Sequence, residues 1–355
     1  MGADHPATTE EETVKWLTAI RAIKPEGGPD ATARYNKQLD EAWKFFTANK
    51  AAVLPILRKE LSAEIAKDRP NQMLLLDVGY YIRLQEDASD KELGRRTFFT
   101  IDLDAEIVRW NQQQLFLFGH AVVPDRDPLT LPLLDKAFLR RNVTAFIPQH
   151  ALSLDETLVC VFLYGEFGQG AEEHLKAQLP DRSVARRIIE ILVWIGSPAS
   201  VPEVTAAMTS SRDYETFVRA TAFMMQAGGP KGRAAMLALP IQTFDAKSQQ
   251  YYSKVRRAIE ATSYESLQKE FKDFPDPGRI SDAELKTRLS AMYRNYGKDD
   301  TTSPRAFLVS GLPKTELITE LSRIRTRMLF RVSDEALSDV KVTNALLNTL
   351  YYKPN

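Results

Sequence analysis

Apolar side chains recur every three or four residues along this chain, and almost nowhere do they alternate one by one. Leu39, Ala42, Trp43 and Phe46 stand at i, i+3, i+4 and i+7, which puts all four on one face of a helix. Leu54, Leu57, Leu61 and Ile65 continue the spacing, and Leu74, Val78, Tyr81 and Ile82 take it up again. Three Ser-x-x-Glu sequences, Ser89…Glu92, Ser153…Glu156 and Ser281…Glu284, match the capping box. In that device a hydroxyl and a carboxylate satisfy N–H groups that a helix start leaves open. The spacing predicts an all-α protein.

From about residue 155 to 240 the helical segments repeat. Leu158–Leu175, Ile188–Val204 and Phe217–Met236 each read as an apolar helix, a break containing Gly, and a shorter amphipathic helix. The breaks are Gly165-Glu166-Phe167-Gly168-Gln169-Gly170, Gly196-Ser197-Pro198 and Gly228-Gly229-Pro230, with 28 residues from Gly168 to Gly196 and 32 from Gly196 to Gly228. Glycine there is expected to take the left-handed backbone that ends a helix, and proline to prevent its continuation. Polar loops, Pro180-Asp181-Arg182-Ser183 and Ser210-Ser211-Arg212-Asp213, open the next helices. In the segment 182–195, Val184, Ile188, Ile191, Leu192 and Ile195 make one stripe that Ile189 and Val193 widen. So broad an apolar surface needs neighbours on more than one side, which stacked helix pairs supply.

This pattern resembles HEAT-like repeats. A polar turn leads into a helix with basic and small residues, as in Asp181…Ala185-Arg186 and Val218-Arg219-Ala220, over about 85 residues. The resemblance implies an α-α superhelix of antiparallel helix pairs and no particular activity. On this reading residues 1–12 are a polar tail, 13–272 a HEAT-like repeat domain, and 281–355 a helical cap or small subdomain. Phe274-Pro275-Asp276-Pro277-Gly278 marks the boundary between the last two.

Composition removes several functions. The 47 Lys and Arg balance 47 Asp and Glu, so there is no cation excess to displace counterions from nucleic acid. Hydrophobic residues at 44% are enough for a buried core, which excludes a wholly disordered chain. The apolar runs near 115–124 and 188–195 fall short of the roughly 20 residues that span a bilayer. Cys160 is the only cysteine, which excludes an intrachain disulfide and a thiolate cluster, and its apolar neighbours read it as core. The start, Met1-Gly2-Ala3-Asp4-His5-Pro6, carries no leader pattern. A cytoplasmic location fits it, and so does a periplasmic or secreted one if a leader has been removed.

Candidates for chemistry are sparse. His5, His120, His150 and His174 show no i, i+4 pair, so no metal or other cofactor is expected. His120 followed by Asp125-Arg126-Asp127 is the most acid–base-like string, and a solvated turn explains it as well. The glycine-rich run at 165–170 follows a helix and lacks the Lys-Ser/Thr of a phosphate loop. Arg323, Arg327 and Arg331 fall close to one stripe and offer either an anion groove or a salt-bridged face. In Tyr251-Tyr252 and Tyr351-Tyr352, successive tyrosines point apart, so one of each pair is expected in the core.

The expected function is a non-catalytic interaction or scaffold protein that binds a protein or peptide partner along the second helices of the repeats, near 171–179, 199–209 and 230–238. Glu173, His174, Glu203, Lys231 and Arg233 are the expected contacts. The alternative is an enzyme on the same scaffold, a hydrolase or a DNA glycosylase-like protein, using a groove carboxylate such as Asp125 or Asp127. An exported structural protein of an envelope complex is a third reading. Partner identity and oligomeric state stay open.

Overall fold

The computed structural model describes residues 8–25, 29–140, 145–146, 153–154 and 156–261. Among these residues there are fifteen α-helices, and the only strands are two antiparallel pieces of two residues each, Ala145–Phe146 and Ser153–Leu154. The protein is all-α, as its periodicity predicts. The described residues fall into two compact units, one of residues 8–137 with 145–146 and 153–154, the other of 138–140 with 156–261. The division lies inside the segment 13–272 that reads as one domain in the sequence.

The first unit contains α1 (Thr9–Arg21), α2 (Pro29–Ala48), α3 (Lys50–Ile65), α4 (Gln72–Arg83), α5 (Ala88–Thr100), α6 (Glu106–Trp110), α7 (Gln112–Val122) and α8 (Thr130–Leu134). Helix α1 begins inside the stretch read as a polar tail. Thr8 and Glu11 form its capping box, with the Thr8 N–H donating to Glu11 Oε2 at 2.7 Å and the Glu11 N–H donating to Thr8 Oγ1 at 3.3 Å. At α5 the expected box is replaced. Asp87 is the N-cap, and its carboxylate accepts from the Ser89 N–H and hydroxyl, while Glu92 pairs with Arg95. A charged acceptor one position ahead of the helix does what the Ser89 hydroxyl was expected to do.

Helix α4 is the centre of this unit and packs against α1, α3, α5, α6 and α7. Every residue from Met73 to Gly79 is buried, so α4 has no solvent face over that stretch. Aromatic rings join its neighbours. Trp43 lies 5.4 Å from Tyr80 and 5.3 Å from Tyr81, Phe46 lies 5.5 Å from Tyr81, and Phe118 meets both Tyr80 and Phe98. Such edge-on and tilted contacts add to the burial of the rings themselves.

The second unit contains α9 (Glu156–Gly165), α10 (Gln169–Lys176), α11 (Arg182–Ile195), α12 (Val201–Ser211), α13 (Tyr214–Gln226), α14 (Gly229–Leu237) and α15 (Ala246–Ala261). Helix α11 packs against α9 and α13, and α13 packs in turn against α15. The shorter α12 and α14 contact each other and α13. Ile188, Ile191, Leu192 and Ile195 are buried, as the broad stripe requires.

Three aspartates cap the starts of α11, α13 and α15, with one geometry at Asp213 and Asp245 and a tighter one at Asp181. Asp181 accepts from the N–H and Oγ of Ser183, Asp213 from those of Thr216, and Asp245 from those of Ser248. They stand 32 residues apart, as do Gly196-Ser197-Pro198 and Gly228-Gly229-Pro230. The expected left-handed glycine is present in two of the three breaks, at Gly168 and Gly229, with φ of 55° and 54°, and absent from the one at Gly196. Gly196 has φ of −76°, and a Cβ there would sit 2.5 Å from the Leu192 carbonyl oxygen, so close approach rather than handedness demands glycine.

Candidate functional site

The five expected contact residues lie on α10, α12 and α14, and a residue the sequence reading passed over joins two of them. Lys176, at the end of α10, places its ammonium 2.8 Å from Glu173 Oε2 and 3.9 Å from Glu203 Oε1 on α12. Burial alone would lower its pKa, but the charges of Glu173, Glu203 and Glu172 hold it above the ordinary lysine value. Glu203 Oε2 is buried and has no hydrogen-bond partner. His174 is half-buried, with Nε2 3.1 Å from Gln178 Nε2. On α14, Lys231 is exposed and Arg233 half-buried.

Beneath this face Glu172 fastens α10 to the start of α12. Its Oε1 accepts from the Ser197 N–H at 2.8 Å, the Ser197 hydroxyl at 2.6 Å and the Ser200 hydroxyl at 2.6 Å. The carboxyl is only 2% exposed, so these donors stand in for lost water. On α12 and α14 the exposed positions include Pro202, Ala206, Ala234 and Leu237, which are short or apolar, beside the charged Lys231.

The string after His120 has an architectural place in the first unit. Arg83 is buried and donates to the carbonyl oxygens of Ala121 and Lys91 and to Asp125 Oδ1, while Arg95 donates to Asp127 Oδ2 at 2.5 Å. Asp127 also accepts the Leu129 N–H. Both carboxylates therefore tie the loop to α4 and α5. Among the described residues, no group of three or more His, Cys, Asp or Glu could hold a metal ion. No described helix is long and apolar enough to cross a membrane.

A buried polar cluster in this unit escaped the sequence reading. Tyr35 donates its hydroxyl to Asp77 Oδ1 at 3.0 Å and accepts from Asn111 Nδ2 at 2.5 Å. Asp77 is fully buried and its Oδ2 has no partner. Burial pushes its pKa up to about 8, against the smaller opposing effect of the Tyr35 hydrogen bond. The available signal was a carboxylate inside the apolar run Leu74-Leu75-Leu76-Asp77-Val78.

A cleft of about 510 Å³ opens in the same unit, where the ends of α1 and α3 meet the start of α4. Arg21, Glu64, Lys67, Arg69, Asn71 and Gln72 are among its lining residues. Its basic members are scattered in sequence, which kept them from reading as a group. His5, His150, Arg323–Arg331, Tyr351, Tyr352 and the segment 281–355 lie outside the described residues. Compared with known proteins, the chain matches no family model, no curated protein and no solved structure.

Proposed function

We propose that this chain is a non-catalytic interaction protein whose second unit is a HEAT-like solenoid, binding a protein or peptide partner along α10, α12 and α14. The observation that carries the reading is the row these helices make. Glu172 joins α10 to the start of α12, Lys176 draws the charges of Glu173 and Glu203 together, and α12 packs on α14. The 32-residue recurrence of capping aspartates and Gly-x-Pro turns supports the solenoid reading, because stacked units reuse one local solution. Short exposed side chains flanked by charged ones form a shallow, mixed surface suited to a chain and not to a small molecule.

The test uses the full chain as bait beside a variant carrying Glu173→Lys, Glu203→Lys and Lys231→Glu. Partners captured by the parent and mapped to α10–α14 by cross-linking should be lost from the variant. Its thermal midpoint should stay within about 5 °C of the parent's, since Glu173 and Lys231 are exposed and the Lys176–Glu203 contact is long at 3.9 Å. Capture of the same partners by both forms, or of none by the parent, overturns the reading.

A further inference from the structure

We infer that the cleft at the start of α4 binds a compact polyanion through a phosphoryl group. It brings together Arg21 from α1 and Lys67 and Arg69 from the turn after α3, and Glu64 is the only acidic residue in the lining. With Glu60, which pairs with Arg21 just outside the lining, three cations meet two carboxylates, and the cation left over is Arg69.

Glu64 does not neutralise that excess freely, because it is committed. Its side chain is 2% exposed, its Oε1 accepts the Asn71 N–H at 2.8 Å, and its Oε2 accepts from Lys67 Nζ at 2.9 Å and Arg21 Nη2 at 3.3 Å. Burial alone would raise its pKa, but the Asn71, Lys67 and Arg21 bonds outweigh that and keep it charged. Its effect is to hold two cations at the rim. Arg21 reaches both Glu60 and Glu64 through Nη2, so Nε and Nη1 have no acceptor among the described residues. A planar guanidinium with two open donors suits bidentate contact with an oxyanion.

Arg69 separates a ligand site from a structural cluster. The Arg21–Glu64–Lys67 bonds explain how the three segments are tied, but they give no reason for a third cation on the same cleft. Arg69 is exposed and makes no ion pair with any described residue. The first-turn N–H groups of Gln72 and Met73 also lack acceptors, since the Asn71 side chain caps only Leu74. They add donors of the right sign. The cleft, at about 510 Å³, has room for more than a bare ion, so a phosphate ester fits it as well.

The test is calorimetric titration of the full chain with inorganic pyrophosphate as the probe. Saturable one-to-one binding is expected, weakened about ten-fold or more in Arg69→Ala and largely kept in Arg69→Lys. Arg69 makes no hydrogen bond or ion pair among the described residues, so the alanine variant should unfold close to the parental midpoint. Vesicles of phosphatidylcholine with phosphatidic acid separate two sources of the phosphoryl group. Arg69-dependent co-sedimentation assigns a lipid headgroup, and pyrophosphate binding without it assigns a soluble ester. No saturable heat up to about 10 mM pyrophosphate, or equal affinity in Arg69→Ala, overturns the inference.

Discussion

Asp77 is where this protein carries the sharpest conflict between burial and charge. A carboxyl with one oxygen bonded to Tyr35 and the other without a partner is poorly placed to be an anion. Its folded pKa of about 8 lies above the ordinary aspartate value of 3.8, so the folded chain keeps a proton that the unfolded chain gives up. The sign follows. This group's contribution to stability is fully present below about pH 4 and is lost as pH rises through about 8. Asp77→Asn keeps an oxygen for Tyr35 and cannot ionise. Denaturant midpoints should show the variant within about 1 kcal/mol of the parent at pH 4 and more stable by about 2 kcal/mol or more at pH 8.5. A gap that stays the same across that range would mean Asp77 is solvated in the folded state.

At the scale of elements, the second unit repeats one way of starting a helix. Each aspartate cap satisfies N–H groups that the first turn leaves open, and replacing such a cap with alanine costs typically about 1 kcal/mol. Asp213→Ala and Asp245→Ala should therefore each lower unfolding free energy by about 1 kcal/mol, with similar loss because the geometry is shared. A loss below about 0.3 kcal/mol at Asp245 would separate α15 from the pattern. These elements also show what a sequence can reveal. Helices α11 and α13 were readable because a wide apolar stripe, a Gly-x-Pro break and a polar turn all agree there. Asp245 carries the same signal but was passed over, since Phe244 stands where Arg212 precedes Asp213 and breaks the polar run. Helix α4 was readable as a helix and not as a buried centre, because a stripe marks one face and says nothing of how many neighbours cover the others. The cleft was illegible for another reason. Arg21 and Lys67 come together through Glu64, which stands at i+7 from Leu57 on the apolar stripe but whose charge argues for solvent.

The two units of the whole molecule differ in how their helices depend on one another. In the first, α4 touches five other helices, so any one of them removed leaves the centre uncovered. In the second, contacts run along the chain, from α9 to α11 to α13 to α15, and on the proposed reading each pair would depend on its neighbours alone. The proposed solenoid therefore makes a demanding prediction. Deleting residues 182–213 joins Asp181 to Tyr214 and removes one 32-residue period. The junction restores an aspartate ahead of α13, and α13 presents Phe217, Ala220 and Met224, all buried in the parent, where α11 presented Ala185, Ile188 and Leu192. If the unit is a stack of equivalent pairs, the shortened chain should keep its helicity per residue by circular dichroism and unfold in a cooperative transition, at a lower midpoint because the new interface is unrefined. Deleting α4 and its flanking turns should instead abolish the cooperative transition of the first unit. Loss of helicity well beyond the deleted fraction in the 182–213 deletion would show that the second unit is a single interlocked core, and the HEAT-like reading would go with it.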